Sequence, residues 1–137
     1  MARNRVFIVS FAFSARQGLI LVRAEVTGPL GSAVLRLALD TGATRTVLHS
    51  RALASLGYNP DQAANHVKLT TGSGVVRVAV VKVARLCALG MNRAAMQVLA
   101  HPLPASANID GVLGLDFFRR KVLRIDFQKG KIDVAKK

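Results

Sequence analysis

Hydrophobic and polar residues alternate along much of this chain with a period of two, the pattern of strands that cover one face and wet the other. Near the end, Leu123, Ile125 and Phe127 interleave with Arg124 and Asp126, which predicts a strand whose apolar face supports a barrel or a subunit contact. Comparable runs fall at 6–13, 19–27, 33–39, 67–70, 75–83, 85–90, 95–99, 122–127 and 131–134. Turn residues separate several of them, at Arg16-Gln17-Gly18, Gly28-Pro29-Leu30-Gly31, Gly72-Ser73-Gly74 and Gln128-Lys129-Gly130. Only two short helices fit. Ser50 is placed to cap Arg51–Leu56 with Gly57 just past its end, and a second helix is expected over Leu115–Arg120. The stretch 101–109 reads as an ordered loop. Repeats, linkers and low-complexity segments are lacking, so residues 1–137 read as one mostly β domain. The expected architecture is a closed β-barrel with its core over about 19–134 and an N-terminal strand extension over 1–18.

Composition sharpens this reading. The chain is 51% hydrophobic but only 5% aromatic, without tryptophan, so Val, Leu, Ala and Ile must fill the core. One cysteine, Cys87, rules out an intrachain disulfide and reads as a buried, inert thiol. Nothing calls for an oxidising compartment, and a cytoplasmic protein is expected. The net charge of +13 attracts polyanions in general. Most cations are dispersed singly, however, and the dense stretch from Arg119 to Lys137 lacks interleaved aromatics. Without a helix-turn-helix, zinc-finger or ribonucleoprotein signature, a solvated basic surface is expected, and nucleic-acid contact is carried by charge alone. Met1-Ala2-Arg3-Asn4-Arg5 before Val6–Phe13 has the order of a targeting segment. Ser10 and Ser14 break the apolar run, which falls short of the about twenty residues a membrane span needs. A first β-strand is expected, with a removed targeting or anchor segment as the alternative.

The candidate chemistry is Asp40-Thr41-Gly42-Ala43, directly after the apolar run Val34–Leu39. A carboxylate at the end of a buried strand costs free energy unless hydrogen bonds or a shared proton satisfy it. Alone, the motif reads as a turn aspartate capping its own loop. Two further elements change that. Lys68–Val76 is glycine-tipped and flanked by strand-like residues, the composition of a β-hairpin. Ile109–Phe118 carries Val112-Leu113-Gly114 immediately before the second expected helix.

In this order and spacing the three elements resemble the retropepsin-like aspartic proteases over about residues 19–134, most nearly the bacterial single-domain, gag-polyprotein-like members. The resemblance implies an aspartic endopeptidase in which Asp40 is general base and acid toward a water. It implies that Thr41 bonds across a dimer axis, that Gly42 lets the backbone turn, and that Ala43 follows the retroviral form of the motif. Thr71, Gly72, Ser73 and Gly74 would form a flap that closes over an extended peptide and pairs with its backbone. Val112-Leu113-Gly114 would pass behind the aspartate loop. Neither metal nor cofactor is implied. As in aspartic proteases generally, two carboxylates must share a water and one proton, because adjacent negative charges do not both persist. One such motif per chain therefore requires a homodimer that sets Asp40 against Asp40 of the partner subunit.

Other candidates carry less. Asp110 fits a turn, and Asp116 falls in the first turn of an expected helix, where the dipole favours it. His49, His66 and His101 lack metal-ligand spacing, and Ser73 has no evident His–Asp partnership. A catalytically silent domain of the same fold, used for binding or assembly through its basic surface, remains the alternative.

Overall fold

A computed structural model describes residues 7–136, and side-chain surroundings within 9–135. The charged start Met1–Arg5, Val6 and Lys137 lie outside the described residues. Ten strands follow one another among the described residues: β1 (Phe7–Ala12), β2 (Leu21–Gly28), β3 (Gly31–Leu39), β4 (Val47–His49), β5 (His66–Thr71), β6 (Gly74–Ala88), β7 (Met91–His101), β8 (Gly111–Leu113), β9 (Lys121–Asp126) and β10 (Lys131–Lys136). One α-helix, α1 (Ser50–Ser55), follows β4.

Six strands close a barrel. Hydrogen-bonded neighbours run β2-β3-β8-β4-β7-β6, and β6 returns to β2 through Ala24–Thr27 against Arg85–Ala88. Closure leaves these strands without free edges. Strand β5 lies outside the ring, paired among the described residues with β6 alone, so β5 and the first half of β6 form a projecting hairpin. A separate antiparallel sheet, β1-β10-β9, covers one side. There Arg124 donates two hydrogen bonds to Asp133, and Ser10 donates another, so Ser10 and then Arg124 hold the Asp133 carboxyl below its ordinary range.

The alternation seen in the sequence maps onto the barrel interior. Val22, Ala24 and Val26 of β2 and Leu35, Leu37 and Leu39 of β3 are buried, with Val83, Leu86, Val98, Leu113 and Phe117 completing the core. Each large side chain fully buried contributes roughly 1.5–3 kcal/mol of transfer free energy. Tyr58 ties two walls together, its hydroxyl donating to the Thr27 carbonyl at 2.6 Å and accepting from the Ala84 N–H at 2.8 Å.

Several expectations change in detail. The runs 75–83 and 85–90 form one strand, β6, which ends at Ala88 because Leu89 (φ 51°) and Gly90 (φ 73°) make a two-residue turn into β7. The run 95–99 extends to Met91–His101. Helix α1 begins one residue early, and its cap is His49 rather than Ser50: the imidazole Nδ1 accepts the Arg51 N–H at 3.0 Å. Leu115–Phe118 is a single 3-10 turn, shorter than the helix expected there. Phe127 lies beyond β9, is 67% exposed, and rests edge-on against Phe13 instead of joining a buried face. Among the described residues no helix is long and apolar enough to cross a membrane.

Candidate active site

Strand β3 delivers Asp40 to the barrel rim. Its last three residues, Leu37, Ala38 and Leu39, are buried, and the chain then leaves the sheet. The Asp40 N–H still donates to the Leu113 carbonyl at 3.0 Å, so the aspartate starts from a fixed backbone. Its Oδ1 accepts the Gly42 N–H at 2.8 Å, and its carbonyl accepts the Ala43 N–H at 3.2 Å. A short loop thus folds back on the carboxylate and orients it. Gly42 lies in the turn, but its freedom is not used for a left-handed φ. Instead, a Cβ there would sit 3.1 Å from Asp40 Oδ1, so the glycine makes room for the carboxylate itself.

The far side of the loop is pinned by β8 and the turn after it. Ala43 accepts the Leu115 N–H at 2.8 Å. Thr46, fully buried, accepts the Gly114 N–H at its Oγ1 (3.1 Å) and donates from that hydroxyl to Asp116 at 2.7 Å. The Thr46 N–H reaches both Asp116 oxygens at 3.0 Å. Asp116 therefore acts less through a helix dipole than as the acceptor for a buried threonine. Buried polar groups must be paired, and removing one partner strands the other. Asp116→Ala is expected to lower stability by about 2–4 kcal/mol, and Asp116→Asn, which keeps an acceptor oxygen, to recover much of it in urea denaturation. Asp110 is likewise structural: its Oδ2 accepts the Arg36 N–H at 2.8 Å, and its carbonyl accepts the His49 N–H at 2.7 Å.

Gly114 sits behind the loop because nothing larger fits. A Cβ there would lie 2.7 Å from the Arg45 carbonyl group and 2.9 Å from the Ala43 oxygen. Gly111 is closer still, at 2.3 Å from the Val47 oxygen, where β8 crosses between β3 and β4. Val112 and Leu113 pair with Ala38 and Leu39 in parallel, so the expected passage behind the aspartate loop is present.

A cleft of about 480 Å³ opens beside the carboxylate. Asp40, Gly42, Ala43, Thr44 and Arg45 line one side, Val67, Lys68, Leu69 and Thr70 of β5 the other, with Val47 and Leu99 between them. The hairpin tip is braced by Thr71, whose hydroxyl donates to the Gly74 carbonyl at 3.0 Å and accepts the Ser73 N–H at 3.2 Å. The residues facing Asp40 are thus those of β5, one step before the expected Thr71, Gly72, Ser73 and Gly74. Their signal in the sequence is the alternation of Val67 and Leu69 with Lys68 and Thr70.

The barrel, the glycine-turned aspartate loop with the backing glycine strand, and the overhanging hairpin agree with a family model for aspartyl proteases, which matches residues 22–117. The chain belongs to the aspartyl protease family. Among solved structures it is similar to a retropepsin-like aspartic protease from Rickettsia conorii, with a TM-score of 0.72 and 19% identity, covering 96% of this chain and 92% of that one. No curated protein matches it significantly. The fold is accordingly the retropepsin-like barrel.

Two features of this aspartyl protease chain depart from the sequence reading. Asp40, Thr41 and Gly42 are exposed rather than buried, since the loop projects from the rim. Cys87 is partly exposed and lines a separate hollow with Arg23 and Glu25 on β2, because it falls on the outward side of β6. Among the described residues no group of three or more His, Cys, Asp or Glu side chains converges as a metal would need.

Proposed function

We propose that this chain is an aspartic endopeptidase whose active unit is a homodimer with two Asp40 carboxylates facing each other. The observation that carries the reading is Asp40 itself: oriented by the Gly42 N–H, at the edge of a cleft overhung by β5, and exposed where a partner could cover it. Asp40 would take a proton from water as it attacks a peptide carbonyl, while Asp40 of the partner subunit holds the proton that stabilises the developing oxyanion. Thr41, exposed beside it, would bond across the twofold axis. Among the described residues the outer edge of β5 pairs with no other strand, so an extended peptide could add there as a further strand, with the braced tip Thr71–Gly74 closing over it. Each chain contributes half of such a site.

The test is hydrolysis of an unstructured protein across acidic to neutral pH, with and without pepstatin, over a dilution series followed by sedimentation. Activity per chain is expected to fall as dimers dissociate. With +13 on each chain, self-repulsion should move that fall to higher concentration at low salt. Constant specific activity in a purely monomeric sample would remove the paired mechanism. Salt-sensitive binding to nucleic acid without cleavage would instead favour a silent binding domain.

A further inference from the structure

The cleft is cationic where the chain has no acid to spare. Arg45, half-buried, and Lys68, exposed, stand on its two sides. Across the hairpin, Lys68 lies directly opposite Arg77 in the β5–β6 register, an arrangement that like charges disfavour. The acidic residues are engaged or placed elsewhere. Asp110 binds the Arg36 N–H, Asp116 binds Thr46, Asp126 binds the Gln128 and Lys129 N–H groups, and Asp133 binds Ser10 and Arg124. Glu25 lies on β2 opposite Cys87, Asp61 opens a 3-10 turn, and Asp40 is the reacting group itself. The one ion pair among the described residues is Arg124–Asp133, outside the cleft. Arg93 marks the contrast, since its guanidinium is spent on the carbonyls of Phe117 and Arg119.

We propose that Arg45 and Lys68 make this cleft select extended peptides that carry an acidic side chain among apolar ones, a specificity that rests on the protease reading above. The apolar part of the match comes from Val67 and Leu69 on one face of β5, packed with Val47 and Leu99, while Lys68 alternates to the other, so a peptide along this strand meets both. A carboxylate placed beside either cation gains charge-assisted hydrogen bonds, and beside Lys68 it relieves the repulsion across the hairpin. A lysine at the same position adds a third cation.

The test uses fluorogenic peptides with apolar residues at the scissile bond and Glu, Gln or Lys at each flanking position. They are assayed near pH 6, about two units above the ordinary glutamate pKa, so that Glu is charged. At one or more positions Glu is expected to exceed Gln by about tenfold in kcat/KM, falling to about twofold in Arg45→Gln or Lys68→Gln. Lys68→Glu should shift the preference toward Lys. The same peptides bound to Asp40→Asn protein, read by fluorescence anisotropy, give the preference without turnover. Selective binding without any cleavage by the wild type would overturn the protease reading and leave the specificity standing. Cleavage with equal rates for Glu and Gln would overturn the specificity and leave the protease. Failure of every peptide to bind or be cut would overturn both. If the substitutions change the dimer dissociation constant while the Glu preference stays, the cations serve the subunit contact and the proposal is wrong.

Discussion

Asp40→Asn is expected to leave the barrel folded and to reduce peptide hydrolysis by about 10⁴-fold or more. The substitution is nearly isosteric, and an amide oxygen can still accept the Gly42 N–H that orients the loop at 2.8 Å. Backbone bonds from Asp40 to Leu113 and Ala43 are untouched. What disappears is the carboxylate able to accept a proton from water. Circular dichroism and denaturation midpoints should therefore match the wild type while the rate collapses. Undiminished hydrolysis would exclude Asp40 from the chemistry, and a collapsed fold would recast it as a structural cap.

Gly114→Ala should act through packing rather than chemistry. The added carbon would lie 2.7 Å from backbone atoms of Arg45, in a place where no flexible side chain can yield. Relief requires the 40–46 loop or β8 to move, which would pull Thr46 Oγ1 from the Gly114 N–H and disturb the Asp116 pair. A loss of about 3 kcal/mol or more is expected, comparable to overpacking a tight core. Any folded fraction should bind peptide poorly, because Asp40 takes its position from this same contact. Urea denaturation beside peptide binding would check both parts. A stability unchanged within experimental error would mean that the close approach can relax without cost.

Much of the fold was legible because its signals are local. Strand β2 alternates cleanly, β3 does so over Ala33–Leu37 and β9 over Val122–Ile125, and the turns at 28–31, 72–74 and 128–130 carry glycine. Strands β4 and β8 were missed: three residues each, they are too short to display a period, and their partners are distant in sequence. The glycines of the site were visible as residues, but the reason for Gly42, a crowded carboxylate, appears only in three dimensions. Thr46, polar beside the apolar pair Val47-Leu48, was the one available clue to the brace. A buried hydroxyl must find a partner, yet nothing local names Asp116, seventy positions away (|i−j| = 70), as that partner. The exposure of Asp40 was hidden for a different reason. The apolar run Val34–Leu39 leads straight up to it, whereas the loop that it opens projects from the barrel rim.

The pairing of two aspartates is tested most directly by mixing equal amounts of wild-type and Asp40→Asn chains, allowing subunits to exchange, and measuring hydrolysis at constant total protein. If both carboxylates are required, only dimers of two wild-type chains work, and activity should settle at about one quarter of the undiluted wild-type value. Activity of about one half, the simple share of wild-type chains, would mean that each Asp40 works alone and would contradict the paired mechanism.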